Sequence, residues 1–66
     1  MVKGTTVQFF RQHQIDRYGL TGTVTNVQDV ISRPFGARTT FVDITTATGI
    51  KLQWPLGQTR KDTRVL

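Results

Sequence analysis

The sequence predicts an all-β fold, a small barrel of about five strands. Three observations predict it. Thr, Val, Ile and Phe dominate the 66 residues, and Thr is the commonest of all; β-branched and aromatic side chains suit a pleated, half-buried surface. Apolar and polar residues alternate over 5–11, 39–45 and 50–56, and no segment repeats apolar residues at helical spacing. Gly- and Pro-bearing turns separate the runs at short intervals. Five short strands with no long helix between them close most readily into a barrel.

The first strand is 5–11, with Val7 and Phe9 on one face and Gln8 and Phe10 on the other. The polar stretch 11–19 follows as a long loop or a short helical turn, ending in the turn residues Asp16-Arg17-Tyr18-Gly19. The second strand, 20–31, carries Val24, Val27 and Val30 at intervals of three, which a straight strand cannot place on one face. A bulge or bend at Thr25-Asn26 reconciles them. A helix is the rival reading, and Thr21, Thr23 and Thr25 argue against it.

The third strand, 39–45, sets Thr40, Val42 and Ile44 against Phe41 and Asp43. Ala47-Thr48-Gly49 forms a tight hairpin turn. The fourth strand points Ile50, Leu52, Trp54 and Leu56 inward and Lys51 and Gln53 outward, until Pro55 ends its ladder. The tail 57–66 holds a turn of helix and a last strand, 63–66.

So short a chain makes one domain, 1–66, with a modest core. It has no Cys and a single His, His13, so neither a disulfide nor a Cys/His metal site is expected. No Glu, no glycine-rich phosphate loop and no paired carboxylates are present. The expectation is a protein that is not an enzyme and carries no cofactor or metal. No apolar run approaches the roughly 20 residues of a membrane span, and no signal peptide is visible at Met1-Val2-Lys3-Gly4. A soluble cytoplasmic protein without a membrane partner is expected.

Charge is the strongest global signal. Nine Lys and Arg oppose four Asp, for a net charge of +5. Such an excess draws polyanions at long range and also serves solubility.

Lys3-Gly4-Thr5-Thr6-Val7 followed by Gly22-Thr23-Val24-Thr25-Asn26-Val27 resembles the opening of KOW-type modules, "KG-x-x-V" then "G-x-V-x-x-V". The resemblance covers about positions 3–30 and implies a five-stranded SH3-like barrel. The loop after the first strand is longer than KOW segments have, and "QDVI" is acidic-apolar where they are basic. The stretch 4–10, "GTTVQFF", is similar to the first strand of cold-shock domains and implies an OB-like barrel as the alternative; that family's later aromatic-glycine and histidine strands are absent. Both folds host many functions.

The basic residues sit mostly on loops. Arg11 and Arg17 flank the first loop, Arg33 and Arg38 bracket the turn "RPFGAR", and Lys51 faces out of the fourth strand. If the two loops meet, Arg17, Tyr18, Arg33, Phe35 and Arg38 form one basic surface with two rings. Guanidinium groups pair with phosphates, and rings stack on unpaired bases. The expected function is therefore nucleic-acid binding, to DNA or RNA, through Arg11, Arg17, Tyr18, Arg33, Phe35, Arg38 and Lys51. The alternative is a protein-interaction module, an accessory subunit or a phage- or plasmid-encoded protein that docks on a host machine. Phe10 and Phe41, both facing away from the core, point to a contact surface or a homo-oligomer interface.

Salt separates these readings. For a nucleic-acid ligand, Arg33→Ala and Arg38→Ala each flatten the salt dependence of affinity by about one phosphate contact. Phe35→Ala lowers single-strand affinity by about 1–3 kcal/mol and leaves the salt slope alone. For a protein ligand, Phe35→Ala does most of the damage and salt matters little. Titrations at two salt concentrations check this.

Overall fold

A computed structural model describes residues 1–32 and 36–66. Expectations placed on Arg33, Pro34 and Phe35 lie outside the described residues. The elements run β1 (Thr6–Phe9), α1 (Gln12–Tyr18), β2 (Thr21–Ser32), β3 (Ala37–Thr46), β4 (Lys51–Pro55), α2 (Leu56–Asp62) and β5 (Thr63–Val65). The strands form one antiparallel sheet in the order β4-β3-β2-β1-β5. The fold is mostly β, with five strands.

Among the described residues, five hydrophobic side chains form the buried core: Val7 and Phe9 of β1, Val24 of β2, and Val42 and Ile44 of β3. Met1, Ile15, Tyr18, Val27, Leu52, Trp54 and Leu56 pack around it. The β2–β3 register shifts between Val24 and Asn26, so Thr25 is the extra residue of a bulge. Val24 therefore pairs with Ile44 and Val27 with Val42, all turned to the core face. The spacing of Val24 and Val27 foretold this irregularity; Val30, 41 % exposed, lies beyond the core.

Two helices of seven residues occupy the stretches where at most a turn of helix was expected. Arg11, Gln14, Ile15 and Tyr18 fall at i, i+3, i+4 and i+7, one face of α1, of which Gln14 is buried and Ile15 and Tyr18 pack on the core. So short a helix stands by packing rather than by propensity. Gly19 closes it at φ 84°, its N–H donating to the Ile15 carbonyl at 2.8 Å. In α2, Thr59 is fully buried and donates its hydroxyl to the Pro55 carbonyl at 3.0 Å, while Thr63 donates to the Thr59 carbonyl at 2.6 Å. Two hydroxyls thus enter the interior satisfied by local backbone.

One inward assignment needs correction, that of Ile50, whereas Leu52, Trp54 and Leu56 do pack on the core. Ile50 precedes the strand, closes the hairpin by accepting from the Thr46 N–H at 2.8 Å and donating its own N–H to Thr46 Oγ1 at 3.0 Å, and leaves its side chain 37 % exposed. Trp54 is half-buried at the margin of the core, where its ring meets Phe9 edge-on at 5.8 Å.

β2 and β3 outrun their neighbours. β1 pairs with β2 only over Thr21, Gly22 and Thr23, and β4 with β3 only from Phe41 to Thr45. Beyond these, Asp29–Ser32 and Ala37–Thr40 project as a two-stranded ribbon. The molecule is accordingly elongated, 38 × 22 × 19 Å.

Gly22 is where the strands meet the core most tightly. A Cβ there meets Ile44 Cγ2 at 2.7 Å and the Phe9 ring at 3.4 Å. Gly22→Ala is expected to cost about 1–3 kcal/mol by overpacking. Gly57→Ala, in α2 with nothing within 4 Å of its Cβ, is expected to gain up to about 1 kcal/mol. Urea unfolding of both variants checks the pair.

Candidate functional site

Strand alternation gives the sheet a polar outer face. Val7 and Phe9 point inward, so Thr6 and Gln8 point outward. Cross-strand register carries that face across four strands as Thr6, Thr23, Thr45 and Lys51, and pairs Gln8 with Arg64 of β5. Lys51 and Arg64 bracket this Thr-rich surface, four strand spacings apart, roughly 20 Å along the sheet.

At the β1–β5 end, Phe10 continues the outward series and is 43 % exposed. Two guanidinium groups lie against its ring, Arg11 at 5.6 Å and Arg64 at 5.3 Å from the centroid. Arg11 is held in turn: its Nε donates to Asp62 Oδ1 at 2.7 Å, the single ion pair among the described residues. That leaves both terminal amino groups of Arg11 for other acceptors. Gln14 Nε2 donates to the other oxygen of Asp62 at 3.2 Å, while Gln14 Oε1 is buried with no partner among the described residues. The Arg11 hydrogen bond, chiefly, holds the Asp62 carboxyl below its ordinary value of 3.8; burial opposes the shift and Gln14 adds to it.

At the other end, Thr25, Asp43, Thr45, Lys51 and Gln53, with the Ile44 and Leu52 segments between them, line an open groove of about 380 Å³. Asp43 Oδ2 accepts from Gln28 Nε2 at 3.1 Å, and the Asp43 carbonyl accepts from the Thr25 hydroxyl at 3.3 Å. The bulge residue thus forms part of the groove wall.

Of the basic residues named on the first loop and the β2–β3 turn, the described Arg17 and Arg38 lie apart. Arg17 lies in the last turn of α1, where its carbonyl accepts from Thr48 Oγ1 at 3.3 Å, beside the β3–β4 turn. Arg38 pairs with Ile31 on the projecting ribbon, eight residues along β3 from Thr46 and so about 25 Å away. The long β2–β3 ladder is what separates them. Tyr18 is half-buried in a cluster with Phe9 at 5.5 Å and Trp54 at 6.0 Å, and the Arg17 guanidinium lies 5.7 Å from its ring. Arg11 and Lys51 do lie on or beside the outer face. Phe41 faces outward with Gln28 and Pro55 beside it and is half-buried.

Sequence reasoning left Arg64 out of the candidate site and did not connect it with Phe10. The combination expected of "RPFGAR", one ring and two guanidinium groups, occurs at Phe10, Arg11 and Arg64, and only the β1–β5 register brings Arg64 there.

Among the described residues no group of three or more His, Cys, Asp or Glu is placed to hold a metal, and no helix is long and apolar enough to cross a membrane. No protein-family model, curated protein or solved structure matches the chain.

The lowered Asp62 carboxyl links stability to pH. A depressed folded value means stabilisation that is complete above the unfolded value and lost as pH falls through the folded one. Asp62→Asn is expected to flatten the loss of stability between pH 5 and pH 2 relative to the wild type, read from urea unfolding across that interval.

Proposed function

We propose that this chain is a small non-catalytic domain that binds single-stranded nucleic acid across the outer face of its sheet. The observation that carries the reading is Phe10, open to solvent with the Arg11 and Arg64 guanidinium groups against its ring. Guanidinium groups pair with phosphates and stack on bases, and an exposed ring adds an apolar face of base size. The net charge of +5, with one ion pair among the described residues, leaves most cationic side chains ready for phosphates. Threonine hydroxyls between Lys51 and Arg64 suit a sugar-phosphate track.

The reading includes an SH3-like barrel. A four-strand meander whose fifth strand returns after a helical turn to pair with the first supports that connectivity over the OB-like one.

A second reading, docking on a protein, draws on the ribbon, where Val30 and Ile31 are 41 % and 57 % exposed. Such docking is insensitive to salt and is lost in Ile31→Ser.

Anisotropy titration of a labelled single strand at two salt concentrations tests the proposal. Arg64→Ala and Lys51→Ala are expected to weaken binding and each reduce the salt slope by about 0.7, one single-strand phosphate. Phe10→Ala is expected to cost about 1–3 kcal/mol with the slope unchanged. Absence of wild-type binding at low salt overturns the reading.

A further inference from the structure

The groove beside the bulge has a composition the rest of the outer face lacks. It sets one carboxylate, Asp43, among donors: the Lys51 ammonium, the Gln53 amide, and the Thr25 and Thr45 hydroxyls. Asp43 and Gln53 are cross-strand partners, and Thr45 pairs with Lys51 one step along. No ion pair joins Asp43 to Lys51 among the described residues. The Gln28 amide orients the carboxylate at 3.1 Å and uses one oxygen, Oδ2, leaving lone pairs on both oxygens for a ligand. Phe41, two residues earlier on the same strand face, lies about 7 Å away.

A carboxylate is a poor neighbour for a phosphate chain, so on a nucleic-acid track it needs a reason. Ionised Asp only accepts hydrogen bonds, and its two oxygens match two adjacent N–H donors. Among the common bases, guanine alone offers such a pair on its Watson–Crick edge, N1–H beside the N2 amino group, with the O6 acceptor next to them. Adenine and cytosine offer a donor beside an acceptor; uracil and thymine flank one donor with two acceptors. An acceptor pair bordered by amide and ammonium donors is the complement of guanine.

We infer that this groove reads guanine in a single strand, with Asp43 accepting from N1–H and N2–H, Gln53 donating to O6, and Phe41 supporting the base. The inference rests on the nucleic-acid reading above and gives it a sequence preference. Asp43 sets specificity, whereas Lys51 adds affinity for any strand.

The test is anisotropy titration of the full chain with labelled six-nucleotide strands that differ only at one central base, guanine, hypoxanthine or adenine, each as RNA and as DNA. The guanine strand is expected to bind roughly 10–100-fold tighter than the adenine strand in at least one of the two chemistries. Hypoxanthine lacks the N2 amino group and is expected to lose about tenfold against guanine, the worth of one hydrogen bond to a charged acceptor. Asp43→Asn, an isostere with a single acceptor oxygen, is expected to erase the preference while its adenine-strand affinity does not fall. If that variant fails to fold, the hypoxanthine comparison on the wild type decides alone. Equal binding of all three strands in both chemistries, or a preference that survives in folded Asp43→Asn, overturns the inference and leaves the nucleic-acid reading in place. No binding of any strand at low salt removes the reading beneath it.

Discussion

One extra residue governs the geometry of this molecule. A strand that alternated strictly through 24–27 would turn either Val24 or Val27 to solvent, and a five-residue core cannot spare a neighbour of that size. The bulge at Thr25 lets both face inward, opposite Ile44 and Val42. Bulges also raise local twist and bend the strand that carries them. Here the bulged residue reaches across to the Asp43 carbonyl, and the outer face beside it is concave. Core packing and the shape of the opposite face therefore share a cause.

The remaining framework is tied by polar contacts that join distant parts of the chain. Arg11 at the entry to α1 and Asp62 at the end of α2 are linked directly, and Gln14 joins them from the buried face of α1. This fixes β5 beside β1 and sets Arg64 against Phe10. A small domain without disulfides gains order from such links, because each helix is too short to stand alone. Gln14 Oε1 is the cost of the arrangement, a buried acceptor without a partner among the described residues.

Much of the sheet was legible in the sequence. Val7/Phe9 against Gln8/Phe10, Val42/Ile44 against Phe41/Asp43, and the step of three from Val24 to Val27 each report a strand face through the period-two rule. Lys51 was legible for the same reason. α1 was not, because its most buried residue is Gln14: a polar side chain at a core position hides the helical period. Tyr18 read as a loop ring because its partners, Phe9 and Trp54, come from other strands. The grouping of Phe10 with Arg64 depends on which strand closes against β1, a tertiary choice that no local pattern encodes. Whether Arg17 and Arg38 meet depends likewise on the length of the ladder between them, which loop composition does not report.

The ribbon beyond Phe41 carries a hazard of its own. Its backbone N–H and C=O groups have no neighbouring strand on either side, and Val30 and Ile31 sit among them. Such an edge is a template on which identical chains can polymerise as cross-β. Two charges stand in the way: Asp29, braced by the Thr40 hydroxyl at 2.6 Å, and Arg38 opposite Ile31. Stacking in register would bring each charge against its own copy about 4.8 Å away. Like charges at that spacing repel, so Asp29 and Arg38 raise the cost of edge-to-edge growth whether or not the chain has a ligand.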